Sequence, residues 1–280
     1  MGEKFKRLMW LWSQCFKSMR NVNTFVPFLL YGLVQVLLLY SLVNFARPPF
    51  SSHLVPIIRK IFGESALHYP NFLYVLAPFY NQVNLILSGL LGIVVIGMGT
   101  HLFAFTFSGK KTNLGQSVKS TMPRYGLLFI IWIFETAFTI AMVIGVPYLL
   151  NKLLQPGYSI SRYIELGGLF LGIAIASIFA YTTALIVLDR QKILKTLSQT
   201  FSIFKKNSIT TFLLIALPTF LYYPINFLTR KSVVLISKFS PQIIVLLLST
   251  GIFIAFIATY FQIGAITRFY LLLKEKKRRY

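Results

Sequence analysis

Acidic residues are scarce in this sequence. The 280-residue chain has six Asp and Glu against 28 Lys and Arg. Paired carboxylates for acid–base work are therefore hard to assemble. Cysteine is scarcer still: Cys15 stands alone, so no internal disulfide can form and no CxxC motif exists. The sequence carries no nucleotide-binding glycine loop, no GxSxG elbow and no HExxH pair. Its three histidines, His53, His68 and His101, are scattered. Glu64 and His68 are four apart, a spacing that suits one helical face, but a lone Glu/His pair does not make a metal site. Charge is low overall, at 12% of residues, where soluble domains carry about 25%. No hydrophilic stretch is long enough to fold as a second, soluble domain. These absences argue against an enzyme, a metal protein and a cofactor-dependent protein alike.

Apolar residues make up 56% of the chain, and its mean hydropathy is +0.71. Six runs are long enough for a bilayer core, which needs roughly 20 apolar residues per helix. They are 24–45, 79–107, 125–150, 163–188, 208–228 and 242–273. The first is too long for a signal-peptide core and lacks a small-residue cleavage site, so it is expected to be retained. The formal charge of +22 would suit nucleic acid. The basic residues lie between the apolar runs, however, so they are read as topology signals and not as a nucleic-acid surface. Twenty of the 28 Lys and Arg fall on one side of a six-span topology, including Lys4, Lys6, Lys110, Lys119, Arg190, Lys206 and Lys274 to Arg279. The other side takes Arg47, Arg59, Lys60, Lys152, Arg162, Arg230, Lys231 and Lys238. Both termini are thus expected in the cytoplasm and the protein in a cell membrane. The longest external connection, 47–78, contains HLVPIIRKIF, whose spacing predicts a short helix.

Segment 193–206, ILKTLSQTFSIFKK, is too charged to cross and too apolar for an ordinary loop. Ile193, Leu194, Leu197, Phe201 and Phe204 define one helical face, with lysines elsewhere. Such a basic amphipathic helix lies in the membrane interface, its lysines among phosphates. Lys192, Lys195, Lys205 and Lys206 are the candidate lipid-headgroup contacts. The device occurs twice more: Phe5, Leu8, Met9, Trp12, Phe16 and Met19 before the first run, and Leu114, Val118 and Met122 before the third. SQCFKS (13–18) and GQSVKS (115–120) share Gln, Lys and Ser in register, and KTLSQT (195–200) aligns on Leu197.

The expected fold is therefore all-α: a polytopic helix bundle of six transmembrane helices as three hairpins, each preceded by a cytoplasmic interfacial amphipathic helix. It forms a single membrane domain over 1–280. Residues 1–78 make a first unit with a long outer loop. Residues 79–188 hold the middle spans and the second interfacial helix, and 189–280 the third unit and basic tail. This pattern resembles the six-helix membrane domain fused to some bacterial glycerophosphodiester phosphodiesterases and its stand-alone relatives. The catalytic domain is missing, so the resemblance implies only a lipid-facing membrane module.

Within the spans, Gly168, Gly172, Ala176, Ala180 and Ala184 recur every fourth residue, a stripe for close helix packing inside the bundle. Pro218 and Pro224 are expected to kink the fifth span. Gln35, His101, Glu135, Gln262 and Arg268 fall at comparable depth, permitting a polar intramembrane cluster. Glu135 lies about 15 Å along its helix from Tyr125. Asp189 is expected to cap the third interfacial helix. The leading expectation is a non-enzymatic membrane protein that organises lipid or supports a larger assembly, with anionic membrane lipids as partners. The alternatives are a transporter or lipid-translocating protein built around Glu135, and an accessory subunit docked to another membrane protein.

Overall fold

The protein is described by a computed structural model over residues 2–154 and 158–278. Arg279, the middle of the 151–162 link, and the side chains of Lys4, Arg162, Lys277 and Arg278 lie outside the described residues. Those described form helices and no strand. In chain order they are α1 (Gly2–Ser18), α2 (Val22–Val43), α3 (Ser51–Phe62), α4 (Asn71–Leu87), α5 (Ile93–Phe107), α6 (Leu114–Thr121) and α7 (Tyr125–Ile140). Then come α8 (Val146–Leu154), α9 (Tyr158–Phe179), α10 (Thr182–Val187), α11 (Ile193–Arg230), α12 (Ser232–Lys238) and α13 (Ile243–Arg278).

Six helical stretches are long and apolar enough to cross a bilayer: Val22–Val43, Asn71–Phe107, Leu114–Leu154, Leu166–Val187, Ile193–Arg230 and Ile243–Lys276. On α2, Leu29, Leu30, Leu33, Val36, Leu37 and Tyr40 form an exposed stripe at helical spacing. Each such side chain left in water would cost ~1.5–3 kcal/mol relative to burial, so the stripe suits hydrocarbon. The protein is a multi-pass membrane protein.

Several boundaries differ from expectation. The second crossing begins at Asn71 rather than Phe79 and carries Pro78 inside α4. Burial of Phe72, Leu73, Leu76 and Ala77 on that extra length outweighs the hydrogen bond that proline removes. The break at Asn207 (φ −132°, ψ 28°) falls where expected, between 193–206 and the span from 208, whereas the backbone at Pro218 and Pro224 stays helical. The break separates 193–206 from the apolar stretch that follows. The fourth crossing is interrupted at Ala180 and Tyr181, between α9 and α10, so the small-residue stripe is not one straight line. Two crossings contain single π-helical turns, at Ser88–Gly92 and Ala141–Gly145.

The chain divides into two compact units. One comprises Phe28–Leu91 and Phe220–Thr259. Its core packs Leu39, Leu42 and Phe45 with Ile58 of α3, Phe72 and Leu76 of α4, and Ile244, Leu248 and Ile252 of α13. The predicted 53–62 helix is present as α3. The Arg59 guanidinium holds Glu64 at 2.6 Å, so Glu64 turns to Arg59 and not to His68. In the same unit, a Cβ on Gly251 would lie 3.1 Å from Ile225. The other unit comprises Met1–Pro27, Gly92–Thr219 and Tyr260–Tyr280. It contains α1, α6 and the start of α11, and it holds the candidate site.

Candidate functional site

Each of the three basic amphipathic segments forms a helix that ends at a local break. α1 stops at Ser18 before a turn at 19–20. α6 runs into a 3₁₀ turn at Met122–Arg124, which contains Pro123. Segment 193–206 stops at Asn207. Asn113 caps α6, its Oδ1 accepting from the Gln116 amide at 3.3 Å.

The predicted apolar faces are exposed in part: Phe5, Met9 and Phe16 on α1, Val118 and Met122 at α6, and Leu194 and Phe201 on α11 are exposed. Leu8 is buried, and Trp12, Met19, Leu114, Ile193, Leu197 and Phe204 are half-buried. A neighbouring face docks each helix on the protein; on α1 it takes in Leu8 from the predicted face, and its other residues were missed in the sequence. At the aligned register Cys15, Ser117 and Thr196 are each 0% exposed. Leu11 and Ser18, Thr121, and Thr200 extend this buried face. Their seats are close. A Cβ on Gly264 of α13 would lie 3.0 Å from Cys15 Sγ. A Cβ on Gly97 of α5 would lie 2.5 Å from Thr121 Cγ2. Thr200 Oγ1 donates to the Ile178 carbonyl of α9 at 3.0 Å. Burial pushes the Cys15 thiol up to about 12.

A cyclic rule links these seats. The helix before the third crossing sits on the second, and that before the fifth sits on the fourth. The helix before the first sits on the sixth. Two buried tyrosines follow the same rule. Tyr260 OH of α13 pairs with Thr24 Oγ1 at 3.1 Å and Ser18 Oγ at 3.0 Å. Tyr181 OH pairs with Thr211 Oγ1 at 2.6 Å. A further tie joins the turn after α1 to the approach to α6, where Asn21 Nδ2 donates to Thr112 Oγ1 at 2.9 Å. On each helix, 100° steps in one rotational sense lead from the small-residue face to the exposed apolar face and then to the lysine face.

Of the headgroup candidates, Lys192, Lys195, Lys205 and Lys206 are all exposed. Lys206 also lines a cleft of about 690 Å³ with Lys274, Lys276, Asp189, Gln191, Ser202 and Asn207. Asp189 does not cap the third helix. Its carboxylate accepts from Tyr270 OH and pairs with Lys274 Nζ. The chain reaches that position because Arg190 takes a left-handed turn (φ 56°), letting the Gln191 amide reach back to the Leu185 carbonyl at 3.2 Å. Gly109 (φ 69°) makes the corresponding turn before α6 at no steric cost.

The five polar intramembrane candidates fall in both units, Gln35 in one and His101, Glu135, Gln262 and Arg268 in the other. Gln35 Nε2 donates to Asn84 Oδ1 at 2.8 Å, within the 28–91 segment. His101 is buried and stacks on Phe105 at 4.5 Å, and its Nδ1 has no partner among the described residues. Arg268 lies over the rings of Trp10 (5.1 Å) and Phe107 (5.5 Å), with Glu275 at 4.0 Å. Glu135 and Gln262 are half-buried. No hydrogen bond or ion pair joins any two of the five among the described residues. Matching depth fixes height along a helix but not the direction a side chain faces.

The small-residue stripe is occupied from within. A Cβ on Gly168 would lie 3.0 Å from Pro147 Cγ and 3.1 Å from the Val143 carbonyl. One on Gly172 would lie 2.8 Å from Val143 Cγ2. The π turn at 141–145 therefore fills this groove. Ala184 is buried, and Ala176 and Ala180 are half-buried.

Compared with family models, curated proteins and solved structures, the chain matches none.

Proposed function

We propose that this protein is a non-enzymatic, multi-pass membrane protein that organises anionic lipid at the cytoplasmic face of a cell membrane. The observation that carries this reading is the common order of faces on α1, α6 and residues 193–206. A small-residue face grips the protein, an apolar face is left open, and a lysine face follows. An interfacial helix needs those open faces: apolar side chains enter the acyl boundary and lysines meet phosphates. Each lysine near an anionic surface contributes about 1 kcal/mol. The shared register, the shared breaks and the cyclic docking rule support descent of the three segments from one repeated unit. The excess of basic residues on the side holding these helices supports a cytoplasmic placement.

The test is a bilayer-depth measurement on the whole chain. Leu194→Cys and Val118→Cys are each labelled with an environment-sensitive fluorophore and reconstituted into vesicles whose acyl chains carry bromine. Strong quenching is expected at both positions, greater in phosphatidylglycerol than in phosphatidylcholine vesicles. Labels that stay unquenched in both lipids would refute the interfacial placement.

A further inference from the structure

We propose that the cleft between the 189–191 turn, residues 202–207 and the end of α13 is a binding site for one phosphate-ester headgroup bearing a free hydroxyl, supplied by a membrane lipid or by its soluble glycerol phosphate. The site rests on the membrane placement proposed above, and it adds a specific ligand to a general attraction.

Charge is the first ground. Lys206, Lys274 and Lys276 line the cleft with one carboxylate, Asp189. Asp189 is committed to Lys274 and Tyr270. Lys206 and Lys276 have no acidic partner among the described residues. Two uncompensated ammonium groups thus face the same space as a third that is fixed in place. A phosphate offers each an acceptor oxygen, and charge-assisted bonds of this kind are stronger than neutral ones.

The second ground is an unused acceptor. Gln191 Oε1 is buried and has no partner among the described residues. Its amide is held in orientation by Nε2 donating to Gln199 Oε1 at 2.8 Å. A buried acceptor without a donor costs about 1–3 kcal/mol. A headgroup hydroxyl would supply the missing hydrogen, and a bare phosphate dianion could not. Size agrees: about 690 Å³ lies within the range of small-ligand sites, roughly 300–1,000 Å³. Ile203 and Leu273 give the cleft an apolar part of its lining. Lys195 and Lys205 share α11 with Lys206 but do not line the cleft, so general surface attraction and the site can be told apart.

The experiment is native mass spectrometry of the full chain in detergent. It is titrated with dihexanoyl phosphatidylglycerol, with glycerol 3-phosphate, and with dihexanoyl phosphatidylcholine as the neutral control. One saturating equivalent of an anionic ligand is expected, with no saturation by phosphatidylcholine. Lys206→Gln with Lys276→Gln should weaken binding about thirtyfold, whereas Lys195→Gln with Lys205→Gln should change it less than about threefold. Tighter binding of phosphatidylglycerol assigns the lipid as source. Equal or tighter binding of glycerol 3-phosphate assigns the soluble ester. Either outcome supports the site. Equal weakening by the two lysine pairs, or no saturable anion binding, overturns it. Gln191→Leu should erase a preference for phosphatidylglycerol over dihexanoyl phosphatidic acid, and a parent protein without that preference removes the hydroxyl from the proposal. Intact quenching at Leu194→Cys alongside a failed titration would sink the cleft alone. Lost quenching would sink the membrane placement beneath it.

Discussion

Replacing Gly97 with alanine should unseat α6. The new Cβ would lie 2.5 Å from Thr121 Cγ2 and 3.4 Å from Leu128 Cδ1. Carbon atoms settle at about 3.5–4.0 Å, so one partner must move by more than about 1 Å. Thr121 cannot yield easily: it is fully buried, and its β-branched side chain has few helical rotamers. Overpacking of this kind costs about 1–3 kcal/mol. At ~2–4 °C per kcal/mol for a chain of this size, Tm should fall by roughly 2–12 °C. Thr121→Ser deletes the clashing methyl and leaves the hydroxyl. The double variant should therefore recover most of the loss, a coupling of about 1–2 kcal/mol. Gly126→Ala is the control, because nothing lies within 4 Å of its added carbon. The assay is thermal unfolding of the detergent-solubilised chain followed by tryptophan fluorescence. Gly97→Ala melting with Gly126→Ala, or Thr121→Ser giving no recovery, would refute the seating of α6 on α5.

Three further outcomes are expected. With its thiol pushed up to about 12 by burial, Cys15 should resist maleimide at pH 8. An ordinary thiol near pKa 8.5 would hold about a thousandfold more thiolate there. The rate should climb with pH yet stay slow through pH 9, and rapid labelling of the folded protein at pH 8 would contradict its burial. For Gln35 and Asn84, bonded at 2.8 Å, a double-mutant cycle with leucine should give a coupling near ~0.6 kcal/mol, as for polar pairs between membrane helices; zero coupling would break the pair. Glu135→Gln should melt at or above the parent, since among the described residues no cation holds the carboxylate. It should also leave lipid scrambling in proteoliposomes unchanged. A Tm lower by several degrees, or altered scrambling, would reveal a partner and reopen the transport reading.

The crossings were legible in the sequence because apolar run length is what a bilayer selects. The three basic helices were legible too, since lysines interleaved with Phe, Leu and Met at helical spacing stand out against uniform apolar spans. Their protein-facing sides were not. Cys15, Ser117 and Thr196 are small and of middling polarity, so they add little to any hydrophobic pattern, although their common place one residue before Phe16, Val118 and Leu197 is a usable signal. The break at Asn207 was legible too, because it sits where a lysine-rich helix gives way to an apolar one, and there the change in surroundings sets the break. Pro218 and Pro224 misled, since proline announces helix disruption by chemistry yet both sit in helical backbone. Asp189 looked like a cap from its neighbours, whereas its partners Tyr270 and Lys274 are 81 and 85 residues away. Local spacing carries no trace of contacts at that separation.

The seat of Cys15 on Gly264 has a consequence for biosynthesis. Residue 15 is made long before residue 264, so α1 cannot take its seat until that part of α13 has been made and inserted. Until then the thiol lacks one wall of its pocket, and it closes only when α13 arrives. Burial of that one sulfur therefore marks completed assembly, and a nascent chain arrested before residue 264 would keep it reactive.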